Sequence, residues 1–402
     1  MAREVVSIFP ESMGYLGREP DPDATLCVRH LTKRFGDEQV LDDVSFSVAE
    51  GESLVLLGHS GSGKSTTMRI IAGLEVPDAG EIYLHGRRVE HLRARDRNVG
   101  VIFQHYALFP RMTVAENIGF GLRIRGVKSK KRSEVVERML AMIGLADQRD
   151  KYPWQISGGQ QQRVAIARAL AYEPEVLLFD ESFSALDPQT RVGLRRDIRA
   201  LLRQLRVPAI FITHDQEEAM ELGDAIAILN RGRLEQVGTP DDVYNDPHTE
   251  FVATFLGAAN VIAARQHRGT IEIDADRTLP VLGNLQQIAE QVKVVFRPED
   301  VVLGSPTGLV ETPFHLGRAE VLDVSFAGAV ESLMIRLLSK GYSTSIPTTN
   351  PQGHPTGALQ NSTGESGIVI KTMRTKWDAK KLRLKIGDSV SVGLKTFKVL
   401  RD

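Results

Sequence analysis

Gly58-His59-Ser60-Gly61-Ser62-Gly63-Lys64-Ser65 decides the fold of this chain. The stretch fits the spacing G-x-x-x-x-G-K-[ST] of a phosphate-binding loop. Before it, Ser53-Leu54-Val55-Leu56-Leu57 is short and apolar, as a buried parallel strand requires. After it, Thr66-Thr67-Met68-Arg69-Ile70-Ile71-Ala72 reads as a helix. Glycines let the backbone curl with its N–H groups facing inward, and the helix N-terminus adds partial positive charge at the same point. Lys64 is then placed for the β- and γ-phosphates of a nucleotide, and the Ser65 hydroxyl for Mg²⁺. Gly58, His59, Ser60, Gly61, Ser62, Gly63, Lys64, Ser65 and Thr66 are the candidate nucleotide-binding residues of this loop.

Further strand and helix signals follow in order. Val99-Gly100-Val101-Ile102-Phe103 reads as a strand ending at Gln104. An amide at the carboxyl end of a parallel strand points toward the ligand crevice, where it can bind Mg²⁺ and position a water; a surface amide is the alternative. Residues 113–152 turn helical, and the basic run Lys128 to Arg132 reads as a solvated turn between helices. Ser157 is a good N-cap, and Gly158, Gly159 and Gln160 behind it leave the helix amides bare, a second anion-facing helix start unless it is merely a flexible cap.

Glu175-Val176-Leu177-Leu178-Phe179-Asp180-Glu181 is an apolar strand that ends on two carboxylates. Asp180 is placed to hold Mg²⁺, and Glu181, one residue on, points the other way and suits a general base. Asp187 with Pro188 then starts another helix. His214 follows the strand Ala209-Ile210-Phe211-Ile212-Thr213, where a histidine either contacts a terminal phosphate or is structural. Phe35, beside a turn, either stacks on a base or covers a strand end. Ala225 to Leu229 and the turn at Asn230-Arg231-Gly232 suggest closing antiparallel strands.

Composition bounds what such a site serves. The 402 residues imply two or three domains. Fifty basic against 51 acidic residues leave a net charge of −1, which argues against nucleic acid as the main partner. A single cysteine, Cys27, excludes an internal disulfide and fits a reducing compartment. No apolar run approaches the roughly 18 residues of a membrane span, and residues 1–24 carry no signal-peptide core. A cytoplasmic chain is expected, with any membrane role exercised through a partner. Residues 1–24 read as a poorly ordered extension, and residues 341–366, rich in Ser, Thr, Pro, Gly and Asn, as a mobile loop.

Taken together, the phosphate loop, Gln104, Ser157-Gly158-Gly159-Gln160, Asp180-Glu181, Ser184 to Asp187 and His214 resemble the ATP-binding cassette of ABC transporters over about residues 25–240. The resemblance implies an α/β fold of the P-loop type with a helical subdomain at about 105–165, and a head-to-tail homodimer with ATP and Mg²⁺ held between the phosphate loop of one copy and the Ser157 cap of the other. It implies that Phe35 stacks on adenine, Gln104 links the nucleotide to the membrane subunits, Glu181 is the base and His214 senses the γ-phosphate, so that Glu181, His214, Gln104 and Lys64 are the catalytic set and Ser65, Gln104 and Asp180 the metal set. His59 and Ser182 stand where the family usually has proline.

Beyond about residue 240 the texture becomes short β segments with turn signals, which predicts a small OB-like barrel over 241–402. Phe296-Arg297-Pro298-Glu299-Asp300 and Phe255-Leu256-Gly257-Ala258-Ala259-Asn260-Val261 resemble markers of the regulatory domain of binding-protein-dependent importers. Those systems take up sulfate or thiosulfate, ferric iron, polyamines or sugars, and Val101 to Phe109 with Asn260-Val261 looks most like the sulfate/thiosulfate branch. The resemblance implies two transmembrane permease subunits and an extracytoplasmic substrate-binding protein as partners, and a peripheral position on the cytoplasmic face of the membrane. A soluble ABC ATPase outside transport is the rival class: its repair members insert long coiled coils and its translation members carry two cassettes, and neither feature is present in this sequence.

Overall fold

A computed structural model describes residues 21, 23–183, 187–267, 269–280, 291–306, 308, 310–338 and 367–401. The expected N-terminal extension, the loop at 341–366 and Ser184 to Leu186 lie wholly or largely outside those residues. The chain divides into two compact units, one over residues 12–247 and one over 248–402.

The first unit opens with the antiparallel strands β1 (Leu26–Phe35) and β2 (Glu38–Val48) and then β3 (Ser53–Leu57), every residue of which is buried. The glycine loop leads into α1 (Lys64–Ile71), and β4 (Ala79–Leu84) and β5 (Arg87–Arg88) complete a four-stranded sheet in the order β2-β1-β4-β5. Next come β6 (Val99–Ile102), α2 (Val114–Ile124), α3 (Ser129–Met142) and α4 (Gly158–Leu170). After them lie β7 (Val176–Asp180), α5 (Pro188–Leu205), β8 (Ala209–Thr213), α6 (Gln216–Leu222), β9 (Ala225–Asn230), β10 (Arg233–Gly238) and α7 (Pro240–Asn245).

A second, six-stranded sheet runs β10-β9-β3-β8-β7-β6, parallel except for β10. Continuous apolar strands such as Leu54-Val55-Leu56-Leu57 and Ile210-Phe211-Ile212 are what a sheet covered on both faces demands. One core joins the two sheets and α1, through Leu26, Leu41, Phe46, Leu56, Met68 and Ile210 among others.

Four expectations are corrected. Lys128 to Arg132 is not a turn: Lys128 is the N-cap of α3 and the next four residues are its first helical turn. The turn between α2 and α3 falls at Arg125–Val127 instead, where Gly126 has φ 74°. The strand near residue 100 stops at Ile102, leaving Phe103 exposed. β9 is parallel to β3, so only the β9–β10 hairpin is antiparallel. The first unit also runs on past residue 240 to Pro247, because the Thr239-capped α7 packs on β10 and β9 and Gln236 donates to the Asp246 carbonyl.

The second unit begins with α8 (Glu250–Phe255) and continues β11 (Asn260–His267), β12 (Thr270–Asp274), β13 (Arg277–Pro280), β14 (Gln291–Phe296), β15 (Val301–Gly304) and β16 (Phe314–Ala327). It ends with β17 (Val330–Leu337), β18 (Val369–Thr375), α9 (Lys376–Lys381), β19 (Ser389–Leu394) and β20 (Lys398–Arg401). Two five-stranded antiparallel sheets, β13-β12-β11-β14-β20 and β15-β19-β16-β17-β18, curl over one apolar core that includes Ile271, Val294, Leu316, Leu333 and Val392. The two family markers in this unit are physically one joint. Buried Arg297 donates to the carbonyls of Ala253 at 2.7 Å and Leu256 at 2.6 Å, closing the C-terminus of α8.

Candidate functional site

Strand register assembles the site. Leu57 of β3 lies opposite Thr213 of β8, and Ile212 of β8 lies opposite Asp180 of β7; Phe179 in turn faces Ile102 of β6. Because these strands are parallel, their carboxyl ends share one edge, and the residues that follow them, Gly58 to Lys64, His214, Asp180-Glu181 and Gln104, collect there. β8 stands between β3 and β7, so the phosphate loop and the carboxylates face each other across one strand.

The loop's backbone is fixed by close packing. A Cβ on Gly58 would sit 2.2 Å from the Leu229 carbonyl oxygen, and one on Gly63, whose φ is 105°, would sit 2.8 Å from the Val40 carbonyl oxygen. No side chain caps α1 at Gly63, so its first amides remain available to an anion. Lys64 folds back and donates to the carbonyls of Gly58 and His59, each at 2.8 Å. Burial lowers the Lys64 pKa, against the pull of Glu181 and Asp180, which raise it. The Ser62 hydroxyl oxygen is buried with no hydrogen-bond partner among the described residues. An under-satisfied cation, an unpartnered buried hydroxyl and bare helix amides converge at one point, and a polyphosphate answers all three needs.

Across β8, Asp180 is half-buried and its pKa is raised, first by burial and then by the charge of Glu181; Arg69 and Lys64 oppose the rise. Glu181 leaves the strand with φ 43°, a left-handed conformation, while its N–H still donates to the Ile212 carbonyl. Its Oε1 lies 3.2 Å from Nδ1 of His214. The residues flanking His214 are pinned: Thr213 Oγ1 donates to buried Glu218 at 2.6 Å and accepts from the Asp215 N–H, and Asp215 caps α6.

Ser65, Gln104 and Asp180 offer a hydroxyl, an amide oxygen and a carboxylate, hard oxygen donors of the kind Mg²⁺ takes. Ser65, at the start of α1, and Gln104, just past β6, are both exposed, and nothing in the donor chemistry conflicts with that ion.

Ser157 is the N-cap of α4 in a full capping box. Its hydroxyl accepts from the Gln160 N–H and the Gln160 side chain accepts from the Ser157 N–H. The hydrogen bonds of these residues stay within the cap, and a Cβ on Gly159 would meet Thr190 at the start of α5. Ser157-Gly158-Gly159-Gln160 therefore belongs to the helical layer of α2, α3 and α4 rather than to the strand-edge cluster. Phe35 ends β1, half its surface exposed, with the Lys33 ammonium 5.1 Å from its ring centre. A half-buried ring at a strand end is compatible with either reading of Phe35.

Two supporting residues carry no motif signal. Arg69, on the second turn of α1, is the cation that most opposes the rise in the Asp180 pKa. Arg97 is fully buried and donates to the carbonyls of Ile70, Ile71, Glu90 and Leu92, closing the C-terminus of the helix that the phosphate loop opens. A charged residue between apolar strands and a helix end was the only hint available in the sequence.

Residues 41–184 match the family model described as ABC transporter. The sulfate/thiosulfate import ATP-binding protein CysA of Halalkalibacterium halodurans is 48% identical over 325 residues, 78% of this chain and 90% of that protein. The protein of the same name from Ralstonia nicotianae is 51% identical over 317 residues, 76% of this chain and 84% of its own. That of Escherichia coli is 42% identical over 315 residues, covering 77% and 85%.

Proposed function

The chain belongs to the ABC transporter family of ATP-binding import subunits, and from that premise we propose that it drives uptake of sulfate or thiosulfate by hydrolysing ATP between two copies of itself. The observation that carries the site assignment is the single strand edge holding Lys64, Asp180, Glu181 and His214. The cargo rests on the names of the relatives.

ATP enters with its phosphates against the amides of α1. Lys64 exchanges the carbonyls of Gly58 and His59 for the β- and γ-phosphates, and the Ser62 hydroxyl gains the acceptor it lacks. Phe35 takes one face of the adenine. Ser65, Gln104 and Asp180 would hold Mg²⁺, which supplies charge neutralisation at the phosphate oxygens when bound. Glu181 takes the proton of the attacking water, and His214, hydrogen-bonded to Glu181, orients it and reaches the γ-phosphate. Ser157 of the partner subunit brings a second helix N-terminus to the same γ-phosphate, neutralising charge that one helix start cannot neutralise alone. Hydrolysis removes the shared anion and the two copies separate.

Two transmembrane permease subunits and an extracytoplasmic substrate-binding protein complete the system, with this chain on the cytoplasmic face of the membrane. Among the described residues no helix is long and apolar enough to cross a membrane, so the permeases carry the path. The test is reconstitution with the permease pair and binding protein in vesicles. Sulfate or thiosulfate should raise ATP turnover several-fold. Stimulation by ferric iron, a polyamine or a sugar instead overturns the cargo. Mixed Ser157→Arg and Lys64→Ala proteins should recover part of the turnover that each lacks alone; no recovery overturns the shared site.

A further inference from the structure

The second unit carries a charged surface that the ATP site does not use. Over residues 376–385, Lys376, Lys380, Lys381, Arg383 and Lys385 are all exposed and face a single acid, Asp378. That acid is committed locally: it accepts from the Thr375 hydroxyl at 2.7 Å, and its N–H donates back in the cap of α9. Asp388, just beyond, accepts from the Lys385 N–H. Among the described residues none of the five cations forms an ion pair, whereas neighbouring Arg374 is paired with Glu331 at 2.6 Å.

Large apolar side chains stand inside this ring of charge. Trp377 is 67% exposed, Ile386 68% and Phe326 64%. The Lys381 ammonium lies 5.5 Å from the Trp377 ring centre and the Lys376 ammonium 5.9 Å from that of Phe326. The platform is fixed to the sheet, since the Lys376 N–H donates to the Ala329 carbonyl in the β16–β17 turn and the Gly387 N–H to Val321 of β16. A solvated lysine run needs no exposed tryptophan beside it. Trp with Lys and Arg, held on a rigid turn, is the composition of an interface anchor.

We propose that α9 and the β16–β17 turn form a docking surface for an acidic protein segment that presents an apolar residue to Trp377. Charge complementarity selects the partner: five unpaired cations on a chain of net charge −1 favour a carboxylate-rich ligand. The apolar side chains reside on three separate elements, the end of β16, α9 and the turn before β19, not along one helix face as a bilayer-seated segment would have them. The surface stands independently of the ATP reading.

The chain has two tryptophans, so full-length Trp154→Phe protein leaves Trp377 as the only indole reporter. The probe is a synthetic peptide alternating Glu with Leu and Phe. Its addition should shift Trp377 emission to the blue. Its affinity should fall about tenfold as salt is raised from about 0.05 M to about 0.3 M. Lys380→Glu/Lys381→Glu should weaken binding at least about tenfold by the same emission, and Trp377→Ala, read by titration calorimetry instead, several-fold, with ATP turnover unchanged in both. Anionic phosphatidylglycerol vesicles and oligo-dT are run in parallel. Tighter binding of either than of the peptide overturns the assignment to a protein segment, and so does peptide binding that the double variant leaves intact.

Discussion

His214 Nδ1 and Glu181 Oε1 lie 3.2 Å apart although 33 residues separate them, because β7 and β8 are neighbours and end at the same level. The pair is open on the histidine side, with 62% of that side chain exposed, and more covered on the carboxylate side at 28%. The carboxylate is held by its neighbour and still reachable by water, as the proposed role of base requires. Glu181→Gln keeps the hydrogen bond and removes the proton acceptor. Turnover should fall about 10²–10⁴-fold while ATP binding persists and a dimer accumulates. Steady-state turnover and sedimentation with ATP and magnesium check it; near-normal turnover would remove Glu181 from the role of base.

Lys64 and Ser62 predict a separation of binding from folding. Lys64→Met gives up two hydrogen bonds to its own loop but also an under-solvated charge, so unliganded stability should change little. The thermal shift given by saturating ATP, worth about 2.7 kcal/mol at a hundredfold excess over Kd, should disappear. Differential scanning fluorimetry with and without nucleotide measures both. Retention of the shift would exclude Lys64 as a phosphate ligand.

Asp180 sets a pH dependence. Its folded-state pKa is raised by burial and by Glu181, so the folded state binds its proton more tightly than the unfolded state. Its contribution is therefore most favourable at acid pH. It is lost as pH rises from the ordinary carboxylate value through the raised folded one, leaving a penalty at neutral pH. Asp180→Asn should remove that penalty, giving a higher melting temperature at neutral pH and a flatter acid limb, while turnover falls at least about a hundredfold. An Asn variant that melts lower at neutral pH would contradict the burial argument.

Arg97 predicts a distant effect on the phosphate loop. Arg97→Met keeps the volume but strips the carbonyls of Ile70, Ile71, Glu90 and Leu92 of their donor. A loss of about 3 kcal/mol is expected, for buried acceptors left unpaired. Urea unfolding gives the loss, and hydrogen exchange should show α1 opening first. Unaltered protection of α1 would mean that Arg97 does not brace it.

Lys128 to Arg132 shows where local reading failed. A basic run at a helix start is unfavourable by the helix-dipole argument, so it reads as a turn; packing of Val135, Val136, Met139 and Leu140 makes the helix in spite of it. The Ser157 cap, by contrast, was readable because its hydrogen bonds join residues three apart.

The sequence by itself determined the phosphate loop, its flanking strand and helix, the caps at Ser157 and Asp187, and the carboxylates at the end of β7, since each depends on residues within a turn or two of one another. Only the tertiary structure decided that β8 lies between β3 and β7, that His214 meets Glu181, that Ser62 is left without a partner among the described residues and that Arg97 closes α1. Those facts follow from which strands pair and in what register. Pairing is settled by burying whole faces against residues distant in the chain, and no short window of sequence records that choice.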